Sequence, residues 1–403
     1  MIQTNSRAWW WGFFDYHMKA LIFDASSREW ETSRGFELRD IALPALDEAR
    51  DPADADRIII KIRYAGVCGT DRGIWTRSAF RDQIAKSMDA ENKTYRVLGH
   101  ELFGEIIALG SRVKNFAVGN MATCESHVVC NQCYQCVHSE QHVCTNEKIL
   151  GISTDGGFAE YIKVPAHIVW KTDVSQIRPE VAAVQEPFGN AVHAASKTDV
   201  DNKTIAIFGL GPIGLFLTLT ARVMGAKKII GIDPNPRALE MARKLGIDEA
   251  ILLRNVSISS DRELAFAHNQ EVIDEIMRVT GGVGTDVSFE MAGFNDAVNN
   301  CLFATRRGGE IVLFGIKNGD AIIEDHNRLI VQGYTIHCVI GRQLWKTWET
   351  TRNLLEDAGN GIQEKIFNDI LEKGASILPI ERYTRETCEE MMRTHVKMLI
   401  QFS

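Results

Sequence analysis

Four cysteines within fifteen residues, Cys130, Cys133, Cys136 and Cys144, follow the pattern C-x2-C-x2-C-x7-C. Thiolates at that spacing suit one tetrahedral Zn2+ with Zn–S bonds of about 2.3 Å. The rival is an iron–sulfur cluster, which shares C-x2-C-x2-C but has a shorter last gap followed by proline. Here Thr145 follows Cys144. Four protein ligands leave no open position, so this ion is expected to hold a loop together rather than to react.

A second chemistry is written in Gly209-Leu210-Gly211-Pro212-Ile213-Gly214, which follows the apolar run Ile205–Phe208 and opens a segment rich in Leu, Thr and Ala. Each glycine has its own task in a dinucleotide site. Gly209 permits the tight turn, Gly211 lets backbone approach a pyrophosphate, and Gly214 lets a helix pack close to a strand. The helix start offers free N–H groups and a positive dipole end. Asp233 ends the next strand-like run, nineteen residues after Gly214. A carboxylate there accepts hydrogen bonds from ribose hydroxyls and repels a 2′-phosphate, which favours NAD over NADP. Arg237, close by, is the one residue that speaks for the phosphate. A plain structural turn with a surface aspartate is the bland alternative, and strand, turn, helix and acid in this order weigh against it.

Cys68, in Cys68-Gly69-Thr70-Asp71, and His100-Glu101, after Leu98-Gly99, are soft, borderline and hard donors that one Zn2+ accepts together. Spacing alone does not connect them, since an isolated cysteine or histidine is more often packed or solvent-facing. Taken in order, C-G-T-D, G-H-E, the cysteine lobe, Gly156-Gly157-Phe158-Ala159-Glu160-Tyr161 and the glycine turn resemble the medium-chain zinc-dependent alcohol dehydrogenase family. Within it, Glu186-Pro187-Phe188-Gly189-Asn190-Ala191-Val192-His193 and Gly341-Arg342, followed by the aromatic stretch Trp345 to Trp348, look most like the threonine dehydrogenases. The likeness runs over nearly the whole chain from Met18.

The resemblance implies two zinc ions per chain. Cys68, His100 and Glu101 hold the catalytic one, and Glu186 contacts that metal or its bound water. Thr70 passes on the substrate proton. Ile213, Asp233, Phe314, Gly315, Ile316, Val339 and Ile340 fall where the family touches NAD, with Arg237 carried weakly. The implied reaction is hydride transfer between a secondary alcohol and NAD, with the metal as Lewis acid.

Two departures matter. The family's relay histidine falls on Gly73, which carries no proton. The stretch between Cys68 and His100 is longer than expected, with a charged insertion over residues 78–93 expected as a loop beside the substrate cleft. Together they argue for a changed substrate: a polyol, cyclitol or amino-alcohol, with threonine itself or a catalytically impaired NAD-binding relative as alternatives. A non-catalytic dinucleotide-binding protein and a zinc-independent quinone reductase share the fold. The intact Cys68, His100, Glu101, Thr70 and Glu186 speak against the first, and the cysteine lobe against the second.

The elements that must position these residues fall into two units. Residues 18–187 read as short β-branched runs broken by glycine turns. Residues 188–335 alternate strand-like and helical runs: Thr204–Phe208, Ile213–Met224, Lys228–Ile232, Pro236–Leu245, Asp286–Glu290 and Glu310–Phe314. Alternation of that kind means parallel βαβ units. The expected architecture is α/β: a Rossmann doubly wound parallel sheet over 188–335, inserted in a mostly β, GroES-like catalytic domain of residues 18–187 and 336–403. A helix is expected over Trp345–Ala358, and the strand-like Tyr334–Ile340 is a candidate for pairing across subunits of a dimer or tetramer. Residues 1–17, with Trp9, Trp10, Trp11, Phe13 and Phe14, are set apart as an extension or disordered segment.

At 403 residues the chain is too long for one ordinary core. Its 45% hydrophobic and 24% charged residues are those of a globular protein. A net charge of −8 without a basic stripe excludes a nucleic-acid partner. The uncharged run Thr204–Ala221 nears membrane-span length, but three glycines and a proline in its first half fit a strand, turn and helix better. Nine cysteines at these spacings are not a disulfide framework, and a reducing cytoplasm is expected.

Overall fold

The structure is a computed structural model that describes residues 17–26, 29–254, 266–316 and 319–403. The expected N-terminal extension lies outside the described residues except for His17, which opens the first strand.

The chain begins with β1 (His17–Asp24), β2 (Glu37–Ala42) and β3 (Arg57–Val67), then α1 (Gly69–Trp75), α2 (Arg81–Glu91), β4 (Tyr95–Val97), β5 (Glu101–Leu109) and β6 (Met121–Cys124). The cysteine lobe follows, framed by β7 (His127–Val128) and β8 (Lys148–Ile149), with the short α3 (Tyr134–Val137) inside it. After β9 (Tyr161–Pro165), β10 (Val169–Lys171) and α4 (Pro179–Ala182), α5 (Gln185–Ala195) leads into the second unit. That unit comprises β11 (Thr204–Phe208), α6 (Pro212–Val223), β12 (Lys228–Asp233), α7 (Pro236–Leu245), β13 (Glu249–Leu252), α8 (Gln270–Val279), β14 (Thr285–Glu290), α9 (Asn295–Ala304), β15 (Thr305–Leu313), α10 (His326–Gln332) and β16 (Thr335–Cys338). The chain ends with α11 (Lys346–Glu356), α12 (Ile362–Lys365), β17 (Ile377–Pro379), α13 (Arg385–Thr394) and β18 (Met398–Gln401).

Among the described residues the second unit's sheet is wholly parallel, in the order β13-β12-β11-β14-β15-β16. Its strands read as unbroken apolar runs because helices cover both faces; in β11, Ile205 to Phe208 are all buried. The uncharged run Thr204–Ala221 therefore divides into β11, a glycine turn and α6. No helix among the described residues is long and apolar enough to cross a membrane.

The first unit folds differently. A three-stranded sheet runs β2-β1-β4, and a larger, mostly antiparallel one runs β10-β6-β5-β3-β18-β17 with β9 on β3. β18 pairs antiparallel with β3, Met398 opposite Val67, so the chain's last residues return to the strand that leads into Cys68.

Two expected limits shift. The parallel sheet runs on through β16 to Cys338, past residue 335, because Thr335–Cys338 pairs with Glu310–Leu313. The limit at 187/188 falls inside α5, whose buried Phe188, Ala191 and Val192 share one apolar cluster with Leu215, Phe216 and Leu219 of α6. A helix packed on both units leaves no composition change for a reader of sequence to find. The expected helix Trp345–Ala358 is α11, with a single 3-10 turn at Ala358–Asn360 after it.

Candidate active site

Strand register explains how residues thirty-two positions apart in the chain meet. β3 and β5 are antiparallel, with Gly66 opposite Glu101 and Ala65 opposite Leu102. Cys68, two residues past Gly66, therefore lands beside His100. The ligand atoms of Cys68, His100 and Glu101 all lie within 4.8 Å of one another. Gly66 is obligatory here, since a Cβ on it would stand 2.0 Å from Glu101 Oε2. His100 and Glu101 are buried.

These residues fit a zinc ion. A thiol, an imidazole and a carboxylate converge, and His100 Nδ1 and Glu101 Oε1 are buried with no hydrogen-bond partner in the protein. Buried polar atoms are rarely left so, and a metal would satisfy them.

The surroundings are rich in acid. Asp71 accepts the Cys68 N–H at 2.9 Å and places its other oxygen 3.9 Å from His100 Nδ1. Burial pushes the Asp71 carboxyl up. Burial also raises Glu101, against the pull of Lys397, whose ammonium pairs with Glu101 and donates to Val67 O at 3.0 Å. Burial alone would lower His100, but Asp71 and Cys68 hold it up to about 10. Such a site attracts positive charge, and a divalent ion would become its largest local charge.

Glu186, at the start of α5, is not one of the three converging ligands. Its carboxylate is taken by Arg342 at 2.8 Å. Arg342 is buried and also binds Glu125 through two nitrogens, Asn190 Oδ1 at 2.8 Å and Ser126 Oγ at 2.8 Å. Trp348 Nε1 donates to Glu125 at 2.8 Å. Burial works against the Glu125 charge, but Arg342 and Trp348 prevail and bring its pKa down to about 2. One Glu186 oxygen pairs with Arg342, and the carboxylate still lies close enough to His100 and Glu101 to raise the pKa of both.

Thr70 lies in the first turn of α1, half-buried, two residues after Cys68. Gly73 is one turn further along; a Cβ there would meet Ala79 Cβ at 3.0 Å. The charged insertion, expected as a loop, is α2. Ile84 and Met88 are its buried residues, at i and i+4, and its ends are set by Phe80 and Asn92 in the left-handed region.

The four lobe cysteines come together without disulfides. Cys130 and Cys144 sulfurs are 3.5 Å apart, Cys133 and Cys144 3.7 Å, and Cys130 and Cys136 4.0 Å. Tetrahedral Zn–S bonds of about 2.3 Å put sulfurs about 3.8 Å apart. Backbone N–H groups of Cys133 and Cys130 point at Cys130 and Cys144 sulfurs respectively. Hydrogen bonds to backbone N–H groups, Cys136's first, bring the Cys133 thiol down to about 5, whereas burial pushes Cys136 up to about 12. The set fits one metal held by sulfur.

The glycine turn obeys its three demands. Gly209 has φ +101°, a Cβ on Gly211 would meet open space, and one on Gly214 would stand 2.0 Å from Gly209 O. Gly211 caps α6 and Pro212 begins it. Asp233 accepts the N–H groups of Leu210 at 2.8 Å and Asn235 at 2.7 Å, one on each oxygen, which fixes the carboxylate at the end of β12. A cavity of about 610 Å3 opens here, lined by Gly211, Pro212, Asp233 and Arg237 and, from the first unit, by Arg72 and His395. A smaller one of about 240 Å3 shares Gly211 and Asp233 and runs between Phe208, Ile232 and Met291. An open α/β sheet binds nucleotides at such carboxyl ends. Ile213 is half-buried in α6 beside the turn. Phe314–Ile316 follow β15, and Val339 and Ile340 follow β16, at those same strand ends. Ile316 is 80% exposed and Val339 8%.

Sequence reading missed Asp71, Arg72, Glu125 and Lys397. Lys397 carried a faint signal: a lysine at the start of the apolar run Met398–Ile400. Arg72 and Glu125 gave none, because their partners are far away in the chain, whereas Asp71 stands in the C-G-T-D motif three residues from the Cys68 N–H that it accepts.

Two family models match the chain: an alcohol dehydrogenase GroES-like domain over residues 54–174 and a zinc-binding dehydrogenase over residues 212–357. The L-threonine 3-dehydrogenase of Bacillus velezensis is 36% identical over 340 residues, covering 84% of this chain and 88% of that one. The L-threonine 3-dehydrogenase of Pyrococcus horikoshii is 35% identical over 299 residues, covering 74% and 80%. Among solved structures, 2R,3R-butanediol dehydrogenase from Bacillus subtilis superposes with a TM-score of 0.74 at 21% identity, over 95% of this chain and 99% of that one. Galactitol-1-phosphate dehydrogenase from Escherichia coli gives 0.75 at 22% identity, over 95% and 100%. Those two likenesses are of fold.

Proposed function

The chain belongs to the zinc-binding alcohol dehydrogenases of the medium-chain type, oxidoreductases acting on CH–OH groups, and from that premise we propose that it transfers a hydride between a secondary alcohol and NAD. The observation that carries the reading is the meeting of Cys68, His100 and Glu101 through the β3–β5 register.

When bound, zinc at those three residues supplies Lewis acidity and the nicotinamide supplies a hydride acceptor. The protein's own work is positional. Asp71 sits on the Nδ1 side of His100 and anchors the Cys68 backbone. Lys397 balances Glu101, and Arg342 holds Glu186. Thr70 Oγ1 accepts the proton of the substrate hydroxyl and passes it outward. Gly73 offers no side chain to receive it, so Thr70 is the last side chain on α1 to hold that proton, and water or a bound cofactor's ribose would have to carry it further.

We read the cofactor as NAD because a fixed Asp233 carboxylate repels a 2′-phosphate. Arg237, exposed beside it, is the residue that would argue for NADP. A second zinc, structural, belongs to the cysteine lobe, and its free thiolates need a reducing compartment such as the cytoplasm. β16 ends the sheet, with Ile336 in it and Ile340 just after it about two-fifths exposed, and we assign that edge to pairing with a second copy in a homo-oligomer.

The substrate reading is a polyol, cyclitol or amino-alcohol. Gly73 and the inserted α2 support a change from threonine, which remains the second reading on the strength of the relatives. A panel of secondary alcohols with NAD+, read at the NADH absorbance, tests it. Turnover of threonine well above every polyol and cyclitol restores the second reading; no turnover of any alcohol by zinc-replete protein rejects the enzyme.

A further inference from the structure

Arg72 is a cation held by carbonyl oxygens. It follows Asp71 on α1 and is half-buried, yet no carboxylate among the described residues forms an ion pair with it. One terminal nitrogen, Nη2, donates to the carbonyl oxygens of His395 at 3.1 Å and Val396 at 3.3 Å. The nearby acids are engaged elsewhere, Asp71 with the Cys68 N–H and Glu101 with Lys397. Burial pulls the guanidinium's pKa down, though an arginine stays charged. A partly desolvated charge with no counter-charge is costly, and an anionic ligand at this place would offset that cost.

The ligand side is set by what Arg72 faces. It lines the same 610 Å3 cavity as Gly211 and Pro212, the start of α6. That helix start, with Gly211 open to approach, is where a dinucleotide's diphosphate docks. The other lysines and arginines on this cavity differ: Lys244 and Arg393 already pair with Glu240 and Glu390, and Arg237 and Lys373 are exposed.

We propose that Arg72 is a cofactor-binding residue whose guanidinium grips the diphosphate from across the cleft, opposite the N–H groups of α6. Its Nη2 bonds to the His395–Val396 carbonyls hold the fork in place, which leaves the remaining N–H groups for phosphate oxygens. The grip ties α1, which carries Thr70 behind Cys68, to the nucleotide unit. The inference rests on the nicotinamide-dependent reading above.

The test is ligand affinity in full-length, zinc-loaded protein. NADH binding is followed by fluorescence, and ADP and adenosine are measured as competitors. Arg72→Gln is expected to weaken NADH and ADP about ten- to a hundredfold, as loss of a charge-assisted contact does. Adenosine, which has no phosphate, is expected to bind unchanged. Arg72→Lys keeps the charge but not the fork and should fall between the two; it also serves if the glutamine variant does not fold. The assignment is overturned if ADP and NADH bind both soluble variants as they bind the parent, or if adenosine loses as much as ADP. If the parent chain binds no NADH at all, it is the dehydrogenase reading that fails.

Discussion

Arg342 and Glu186 lie 2.8 Å apart, nitrogen to oxygen, with side chains only 1% and 4% exposed. The same guanidinium also binds Glu125, next to the cysteine lobe. One cation from the segment before α11 thus joins the acid near His100 and Glu101 to the acid near the cysteine lobe. Two buried carboxylates that share a single arginine are both destabilised if it is lost.

Replacing Arg342 with Met should therefore cost about 3–5 kcal/mol of stability, the scale for breaking a buried pair from one side. Urea unfolding of zinc-replete protein measures it. Arg342→Lys should recover part of the loss, because the ammonium keeps charge but cannot bridge two acids and Asn190 at once. A methionine variant within about 0.5 kcal/mol of the parent would show that the network contributes nothing net.

Cys68→Ser removes one donor of the reactive set and leaves the cysteine lobe and glycine turn untouched. Bound zinc should fall from about two ions per chain to about one, with NADH affinity retained and turnover lost. Metal analysis beside a fluorescence titration gives both readouts. Two zincs in an active variant would remove Cys68 from the ligand set.

How much of this the sequence discloses depends on separation along the chain. The glycine turn was readable because all three glycines act within six residues, and β11 and β12 because strands covered on both faces are apolar throughout. The cysteine lobe was readable from spacing. The meeting of Cys68 with His100 depends on which residue of β3 faces which residue of β5, and only resemblance suggested it. Arg342 with Glu125 spans 217 positions and Lys397 with Glu101 spans 296, and no local pattern records either. α2 reads as a loop from sequence because Ile84 and Met88 alone mark its inner face.

Cys133→Ser should leave the reactive site's donors in place but loosen the lobe, whose own core is little more than Val129 and the cysteines. The expected result is loss of one zinc and a lower unfolding temperature, with residual NADH binding at low temperature. Chelator titration checks the order of release: the four-sulfur ion should leave after the ion of the open three-donor site. An iron–sulfur absorption band in the pure protein would reject zinc here.

His193 gives the pH prediction. Burial brings its imidazole down to about 4, although its Nδ1 lies 2.8 Å from the Gly341 carbonyl. The unfolded chain's histidine titrates near 6.5. Between those values the unfolded state binds a proton that the folded state refuses, so this contribution is intact above about pH 6.5 and declines as pH falls toward 4. The decline is up to roughly 3 kcal/mol. Urea midpoints at several pH values for the parent and for His193→Gln isolate it, since glutamine cannot titrate. Parallel stability curves would exclude His193 as the source.

The last prediction concerns Gly73, where the family places a proton-accepting histidine. The backbone there is not in the left-handed region, so a side chain is conformationally allowed. The obstacle is Ala79, whose Cβ would lie 3.0 Å from the new one. Gly73→His combined with Ala79→Gly clears that contact, and the Ala79→Gly variant alone serves as control. If the proton now leaves Thr70 through water, the added imidazole gives it a titratable stop. The pH–rate profile should then gain an inflection near the free histidine value of about 6.5, with kcat raised below the parent's optimum. The gain should vanish in Thr70→Ala, because a histidine without the hydroxyl before it receives nothing. A profile identical to the control's would mean that release of the proton does not limit the reaction, or that it never passes along α1.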